Sequence, residues 1–220
     1  MHDEVTRIVA IRHGETAWNV DTRIQGQLDV PLNDTGRWQA RRLAQAVAGE
    51  SIAAIYASDL LRAYDTARAV ADAAGREVVA DTGLRERHFG EFEGHTWKDI
   101  ETRWPKESER WRKRDLDFAP AGGESLRAFY ARSVEAATRR AQAHPGQTIA
   151  LVAHGGVMDC LYRAASRIDL QAPRSWQLGN ASINRLLYTP EGFALIGWSD
   201  NHHLDDDSRD EPADRVGSAA

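Results

Sequence analysis

Short apolar runs and amphipathic segments alternate along the chain. Runs 7–11, 52–57 and 148–153 are apolar and contain β-branched residues, the pattern of buried strands. Each run is followed by polar or glycine residues and then by a segment with one apolar side, which is typical of a helix. Strands that alternate with helices predict a mostly parallel sheet covered on both faces, an α/β fold.

The remaining elements follow from caps, breakers and turn residues. Asp34 or Thr35 is predicted to cap a helix that ends near Val47, and Ser58 is predicted to cap a helix that runs from Asp59 to about Ala74, before Gly75. The other predicted elements are helices opened by 123–125 and by 155–156 that end near 143 and 163, and strands 77–80, 183–188 and 193–198.

The segment 88–123 departs from this alternation. It is polar and helical in composition, with prolines at 105 and 120, which predicts a lid or specificity element over the sheet. Its aromatic residues recur at a spacing of seven, the interval of one helical face. They either pack the lid against the core or line a substrate pocket. These residues are Trp97, Trp104, Trp111 and Phe118.

Length, composition and charge narrow the class of protein. The chain has 220 residues, 42% of them hydrophobic, which suits one domain with a substantial core. We expect that domain to span 1–204, because 205–220 is acidic, has no aromatic residue and is predicted to be disordered. Most of the net charge of −5 lies in this tail. The nearly neutral body does not favour nucleic-acid binding.

The ends of the chain and its cysteine content bear on location. No apolar run is long enough to span a membrane, and the N-terminus lacks the pattern of a signal peptide. We therefore expect a cytoplasmic protein without a membrane partner; no oligomeric state is indicated. Cys160 is the only cysteine and lies in an apolar stretch, so we interpret it as a small buried hydrophobic residue.

Candidate chemistry follows the predicted strands. In an open α/β sheet, ligands bind beyond the carboxyl ends of the strands, so segments 12–15, 58–63, 84–87 and 154–156 could share one pocket. They supply histidines, arginines, a carboxylic acid and glycine amides, a set suited to holding and transferring a phosphoryl group. Taken alone, each segment is a weak indication of function. His154 could be a strand-end residue, Arg62 could lie on a solvated helix face, and Glu86 could form surface ion pairs with its arginine neighbours.

In combination the segments resemble the histidine phosphatase superfamily, also called the phosphoglycerate mutase-like family. The resemblance extends from about Ile8 to Trp198. It implies a three-layer α/β/α sandwich with a six-stranded, mostly parallel sheet. The motifs that carry it are Arg12-His13-Gly14-Glu15-Thr16 with Trp18-Asn19, residues 25–32, residues 58–63 with Thr66-Ala67, Leu84-Arg85-Glu86, and His154-Gly155-Gly156.

The resemblance also implies roles. His13 would be the nucleophile that forms a phosphohistidine, its other ring nitrogen held by a backbone carbonyl. Arg12, Arg62 and a protonated His154 would surround the phosphoryl oxygens, and Glu86 would be the general acid and base. Further phosphate contacts are expected from Asn19, Gln25, Gly26 and Gly155. No metal is needed; His144 and the adjacent His202 and His203 lack ligand spacing.

The acceptor of the phosphoryl group is left open. We favour a phosphatase that acts on a small phosphorylated metabolite, because Phe89 stands where the mutases usually carry a tyrosine, the lid is shorter, and residues 122–125 resemble the phosphatase branch. A phosphoglycerate mutase that uses 2,3-bisphosphoglycerate is the alternative, and an inactive phosphate-binding module is a third. Arg112 and Arg114 resemble the basic stretch that holds a substrate carboxylate, although a solvated basic face would look similar.

Overall fold

A six-stranded sheet forms the centre of the molecule. The computed structural model describes residues 5–205, so the predicted acidic tail, apart from Asp205, lies outside the described residues. The strands lie in the order β3-β2-β4-β1-β5-β6. In this order the first four strands are parallel, and β5 runs antiparallel to both of its neighbours, β1 and β6. The sheet is therefore mostly parallel, as the sequence predicted. Their bounds are β1 Thr6–Arg12, β2 Ile52–Ala57, β3 Val78–Ala80, β4 Thr148–Ala153, β5 Ile183–Thr189 and β6 Gly192–Asp200.

Helices cover both faces of this sheet, which confirms the predicted sandwich. Side chains alternate along a strand, so Ile8 of β1 packs with α6 and α7, whereas Val9 packs with α2 and α3. The helices are α1 Ala17–Val20, α2 Asp34–Val47, α3 Leu61–Ala74, α4 Trp97–Arg103, α5 Pro105–Arg112, α6 Leu126–Gln142 and α7 Gly155–Ser166.

Two predicted helix caps are wrong. The cap of α2 is Asn33, whose side-chain oxygen accepts a hydrogen bond from the Gly36 amide at 2.7 Å. Helix α3 begins at Leu61 without a side-chain cap, so Ser58 lies outside the helix. A cap depends on which side chain can reach a free amide, and several polar residues precede each helix.

The lid segment 88–123 contains α4 and α5. Pro105 ends the first helix and occupies the first position of the second, where its missing N–H is tolerated. Phe92, Ile100 and Phe118 are buried together, with the three lid tryptophans packed around them. The aromatic residues therefore form a second, small core of their own, rather than packing on the main one.

Two further predictions concern single features. Cys160 is 1% exposed and lies in the main core, as predicted, and burial raises the pKa of its thiol. No helix within residues 5–205 is both long and apolar enough to cross a membrane.

Candidate active site

Strand register brings two histidines and a serine together. Arg12 at the end of β1 pairs with Ala153 at the end of β4, so the next residues, His13 and His154, become neighbours. Their ring centroids are 5.3 Å apart. Ser58 follows β2, and its amide donates to the Val152 carbonyl of β4. The carboxyl ends of β1, β2 and β4 therefore bring these three residues close together.

The protonation of His13 follows from its hydrogen bond. The ring is 3% exposed, and Nδ1 lies 2.6 Å from the Gly14 carbonyl oxygen. Because a carbonyl only accepts, Nδ1 carries the proton and Nε2 carries the lone pair. Burial first, and then the charges of Arg62 and Arg12, hold the pKa of His13 well below 6.5. The buried ring is thus neutral, as a nucleophile must be.

His154 differs from the expectation of a protonated ring. It is fully buried, and burial together with the charge of Arg62 holds its pKa well below 6.5, so it is neutral in the free protein. Its Nε2 lies 2.8 Å from the Ser58 hydroxyl, which itself accepts a hydrogen bond from the Leu60 amide. Nδ1 of His154 is a buried atom without a partner among the described residues.

Two arginines lie beside these rings, Arg62 buried and Arg12 half-buried. Arg62, from the first turn of α3, donates to the carbonyls of Gly26 and Leu28 at 2.7 and 2.9 Å. Burial is the main cause that lowers its pKa to about 10, so it stays charged at neutral pH. Arg12 donates to the Leu178 carbonyl. The Nε atoms of both arginines are buried and have no partner within residues 5–205, which leaves cationic donors available for an anion.

Glu86 is held at the start of α7. Its two carboxylate oxygens accept hydrogen bonds from the amides of Arg87 and Gly156, at 2.8 and 2.9 Å. A Cβ atom at residue 156 would lie 2.1 Å from Glu86 Oε1, so only glycine allows this approach. The second glycine after His154 therefore places the carboxylate beside the site.

The other residues predicted to contact phosphate lie near the arginines and histidines already described. Asn19 uses its side-chain oxygen to accept from Thr16 and from Asn180, which leaves its amide nitrogen as the end that can donate. Gln25 is 9% exposed with a buried Oε1, and Gly26 turns the loop that binds Arg62 with a φ of +53°. Gly155 is the first residue of α7.

Two cavities adjoin these residues. One, of about 590 Å³, is lined by Glu86 and Gly156 and by lid residues that include Trp97, Trp111 and Phe118. The aromatic residues thus pack together and also line a cavity. The other, of about 580 Å³, is lined by Arg12, Gly155 and the loop 174–179.

Arg112 and Arg114 line the larger cavity, but both are engaged within the protein. Arg112 forms an exposed ion pair with Glu101 at 2.6 Å. Arg114 donates to the Leu170 carbonyl at 2.5 Å and to Asp159 at 3.2 Å. Their predicted role in substrate recognition remains a prediction.

Sequence reasoning missed three residues that organise the site. Ser58 contacts His154; Asn180 donates to the carbonyl of His13 at 3.0 Å; and Arg132 of α6 donates to the carbonyls of Gly83, Arg85 and Glu86. Ser58 lay within a motif, but Asn180 and Arg132 are far from the motifs along the chain and had no local signal. Within residues 5–205, no group of three or more His, Cys, Asp or Glu side chains is placed to hold a metal ion.

Comparison with known proteins places this geometry in a family. The chain is 37% identical over 208 residues to a metal-independent phosphoserine phosphatase of Arabidopsis thaliana, covering 93% of this chain and 85% of the relative. It is 36% identical over 214 residues to a probable phosphoglycerate mutase of Photorhabdus laumondii, covering 93% and 98%. A solved structure of a mycobacterial glucosyl-3-phosphoglycerate phosphatase with VO3 superposes with a TM-score of 0.79 at 35% identity, covering 89% of this chain and 99% of the other. The family model of the histidine phosphatase superfamily, branch 1, matches residues 8–201, and the chain belongs to this superfamily.

Proposed function

We propose that the chain is a metal-independent phosphomonoester hydrolase that acts through a phosphohistidine at His13. The observation that carries this proposal is the convergence of a neutral, oriented histidine with cationic donors that have no partner among the described residues. The relatives that are named as phosphatases support hydrolysis, and one of them is named as metal-independent.

In the first step, Nε2 of His13 attacks phosphorus and the bond to the ester oxygen breaks. Arg12 and Arg62 bind the phosphoryl oxygens, and Asn19, Gln25, Gly26 and the amide of Gly155 complete the contacts. The charge of the guanidinium groups balances the charge that spreads over these oxygens.

His154 acts as a hydrogen-bond donor to the phosphoryl group, and Glu86 acts as the general acid and base. A bound dianion offsets the burial that keeps His154 neutral, so His154 becomes a charged donor when substrate arrives. Glu86 gives a proton to the departing alkoxide. In the second step Glu86 takes a proton from water, water attacks phosphorus, and the N–P bond to His13 breaks.

The substrate class is a small phosphate ester that also carries a carboxylate. Phosphoserine, phosphoglycerate and glucosyl-3-phosphoglycerate, which occur in the names of the three relatives, share this feature. The cavity beside Glu86 has several arginines in its lining, which suits an anionic leaving group.

A phosphoglycerate mutase is the second candidate, because one of the relatives is named as a probable mutase. It would need 2,3-bisphosphoglycerate and would have to exclude water from the phosphohistidine.

Phosphate release in EDTA from a panel of phosphomonoesters tests the proposal. We expect turnover by the wild type, and a loss of about three orders of magnitude or more in His13→Ala. His202→Ala is the control, because this side chain is 93% exposed and its loss should not affect turnover. A label on His13 that is stable in base and labile in acid should appear after brief exposure to substrate.

Other outcomes would contradict the proposal in different ways. Isomerisation of 3-phosphoglycerate with little free phosphate, dependent on 2,3-bisphosphoglycerate, would make the chain a mutase. A binding signal without label or turnover would indicate an inactive module. Loss of activity in EDTA would exclude a metal-independent mechanism.

A further inference from the structure

Four arginines line the cavity beside Glu86, and three of them are engaged within the protein. These three are Arg87, Arg112 and Arg114. Each donates to a backbone carbonyl or a carboxylate, so binding a ligand would require that contact to be shared or broken. The respective acceptors are the carbonyls of Glu124 and Phe118, the carboxylate of Glu101, and the Leu170 carbonyl with the Asp159 carboxylate.

Arg174 differs from these three. Its side chain is exposed, on the loop between α7 and β5, and within residues 5–205 it has no hydrogen bond or ion pair. It also lines both cavities, the one beside Glu86 and the one beside Arg12. Its guanidinium is therefore free to bind an anion where the two cavities meet.

The charges around Arg174 also favour an anion. Burial lowers the pKa of Arg12, and the positive charge of Arg174 lowers it further. Two cations that repel each other across a cavity are stabilised when an anion binds nearby. Arg12 serves the phosphoryl group in the proposed mechanism, so Arg174 is available to a second anionic group on the same substrate.

The position of Glu86 indicates which part of the substrate reaches Arg174. Because Glu86 protonates the ester oxygen, the rest of the leaving group extends into the cavity that Glu86 lines. Arg174 lines this cavity and also the cavity that Arg12 lines, and Arg12 binds the phosphoryl group in the proposed mechanism. A carboxylate a few bonds from the phosphate would meet its planar fork of donors, which matches a carboxylate in two hydrogen bonds.

We propose that Arg174 is the residue that selects phosphorylated carboxylic acids, by binding the carboxylate of the leaving group. This inference rests on the proposed hydrolase function and identifies a specificity-determining residue for it. Arg112 and Arg114 then shape the cavity, while the selective contact comes from the loop after α7.

Matched substrates test this role. 3-Phosphoglycerate and glycerol 3-phosphate differ in having a carboxylate or a hydroxymethyl group, and phosphoserine and phosphoethanolamine differ in the presence of a carboxylate. We expect the wild type to prefer the carboxylated member of each pair. Arg174→Ala should lower kcat/KM for the carboxylated members about 10- to 100-fold, mainly through KM, and change it less than about twofold for the others. Arg174→Lys should retain part of the preference.

The control is Arg103→Ala. Arg103 is an exposed arginine of the lid, and its side chain lines neither cavity. It should leave both substrate classes unaffected. The same substrate pairs are also measured with Arg112→Ala and with Arg114→Ala.

Several results would overturn the inference. These are equal losses on both members of a pair in Arg174→Ala, a selective loss in Arg112→Ala or Arg114→Ala but not in Arg174→Ala, and a wild type without preference for the carboxylated esters. Failure of the hydrolase function itself would look different: no ester, carboxylated or not, would release phosphate in a manner that depends on His13, and the inference would fall with it.

Discussion

At the scale of residues, burial decides the charge of the site. His13 and His154 are both neutral in the free protein because water is excluded and two arginines lie nearby. Neutrality suits the nucleophilic role proposed for His13. For His154 it means that the positive charge of the site resides in the arginines until a dianion binds.

Titration of the two rings followed by NMR tests this assignment. When the pH of the free protein is lowered through 6.5, the rings of His13 and His154 should stay neutral, because burial and the charges of Arg12 and Arg62 lower the pKa of each ring. His202 should titrate above 6.5, because the Asp200 carboxylate raises its pKa. Inorganic phosphate or vanadate should raise the pKa of His154. A midpoint at or above 6.5 for His13 or His154 in the free protein would contradict the assignment.

At the scale of elements, helix α6 holds the segment that carries Glu86. The Arg132 guanidinium donates to three backbone carbonyls of this segment, those of Gly83, Arg85 and Glu86, at 2.9, 3.0 and 3.3 Å. It also pairs with Glu124 at 2.8 Å, whose carboxylate accepts from the His88 amide. One side chain thus connects the helix, the acid and the beginning of the lid.

Arg132→Ala should therefore lower kcat more than it raises KM, by about 10-fold or more, since Glu86 would lose its fixed position. Arg132→Lys should not restore the rate, because an ammonium group cannot reach several carbonyls and a carboxylate with the same geometry. Arg127→Ala removes an exposed partner of Asp117 from the same helix and should change neither parameter. Steady-state kinetics at several pH values distinguishes positioning from general destabilisation. An unchanged kcat with a lower melting temperature would show that Arg132 is purely structural.

At the scale of the whole molecule, the sheet and the lid are stabilised by separate hydrophobic cores. The main core lies on the two faces of the sheet, whereas the lid surrounds Phe92, Ile100 and Phe118. Arg87, the residue that precedes the lid, contacts the lid core, because it donates to the Phe118 carbonyl and its guanidinium lies 4.3 Å from the centre of the Trp111 ring. A small core joined by few contacts opens more readily than the sheet.

Phe92→Ala should therefore loosen the lid and leave the sheet intact. Phe92 is 0% exposed, and removal of a buried phenylalanine costs about 3–5 kcal/mol. Hydrogen exchange should become faster for amides of α4 and α5 but not for those of β4. Val79→Ala, at a side chain 45% exposed on the edge strand, is the control. Equal acceleration throughout the sheet would show that the lid and the sheet unfold together.

The sequence by itself determined the alternation of strands and helices, the sandwich and the family. Apolar periodicity depends only on which residues must be buried, and the motifs depend on residue types that the chemistry requires. The residues Arg12, His13, Arg62, Glu86 and His154 could be selected in this way, and the fold brings them close enough for their charges to interact. Their catalytic roles remain proposals.

Tertiary structure decided what depends on neighbours distant along the chain. The cap of α2, the contact of Ser58 with His154 and the clamp of Arg132 all depend on which group reaches which partner in space. That His154 lies in surroundings that disfavour its charged form before a ligand binds also depends on the folded structure, because residue type does not reveal how much water burial removes. Arg174 became a candidate only when its neighbours were seen to be engaged, since the sequence shows an arginine but not whether it already has a partner.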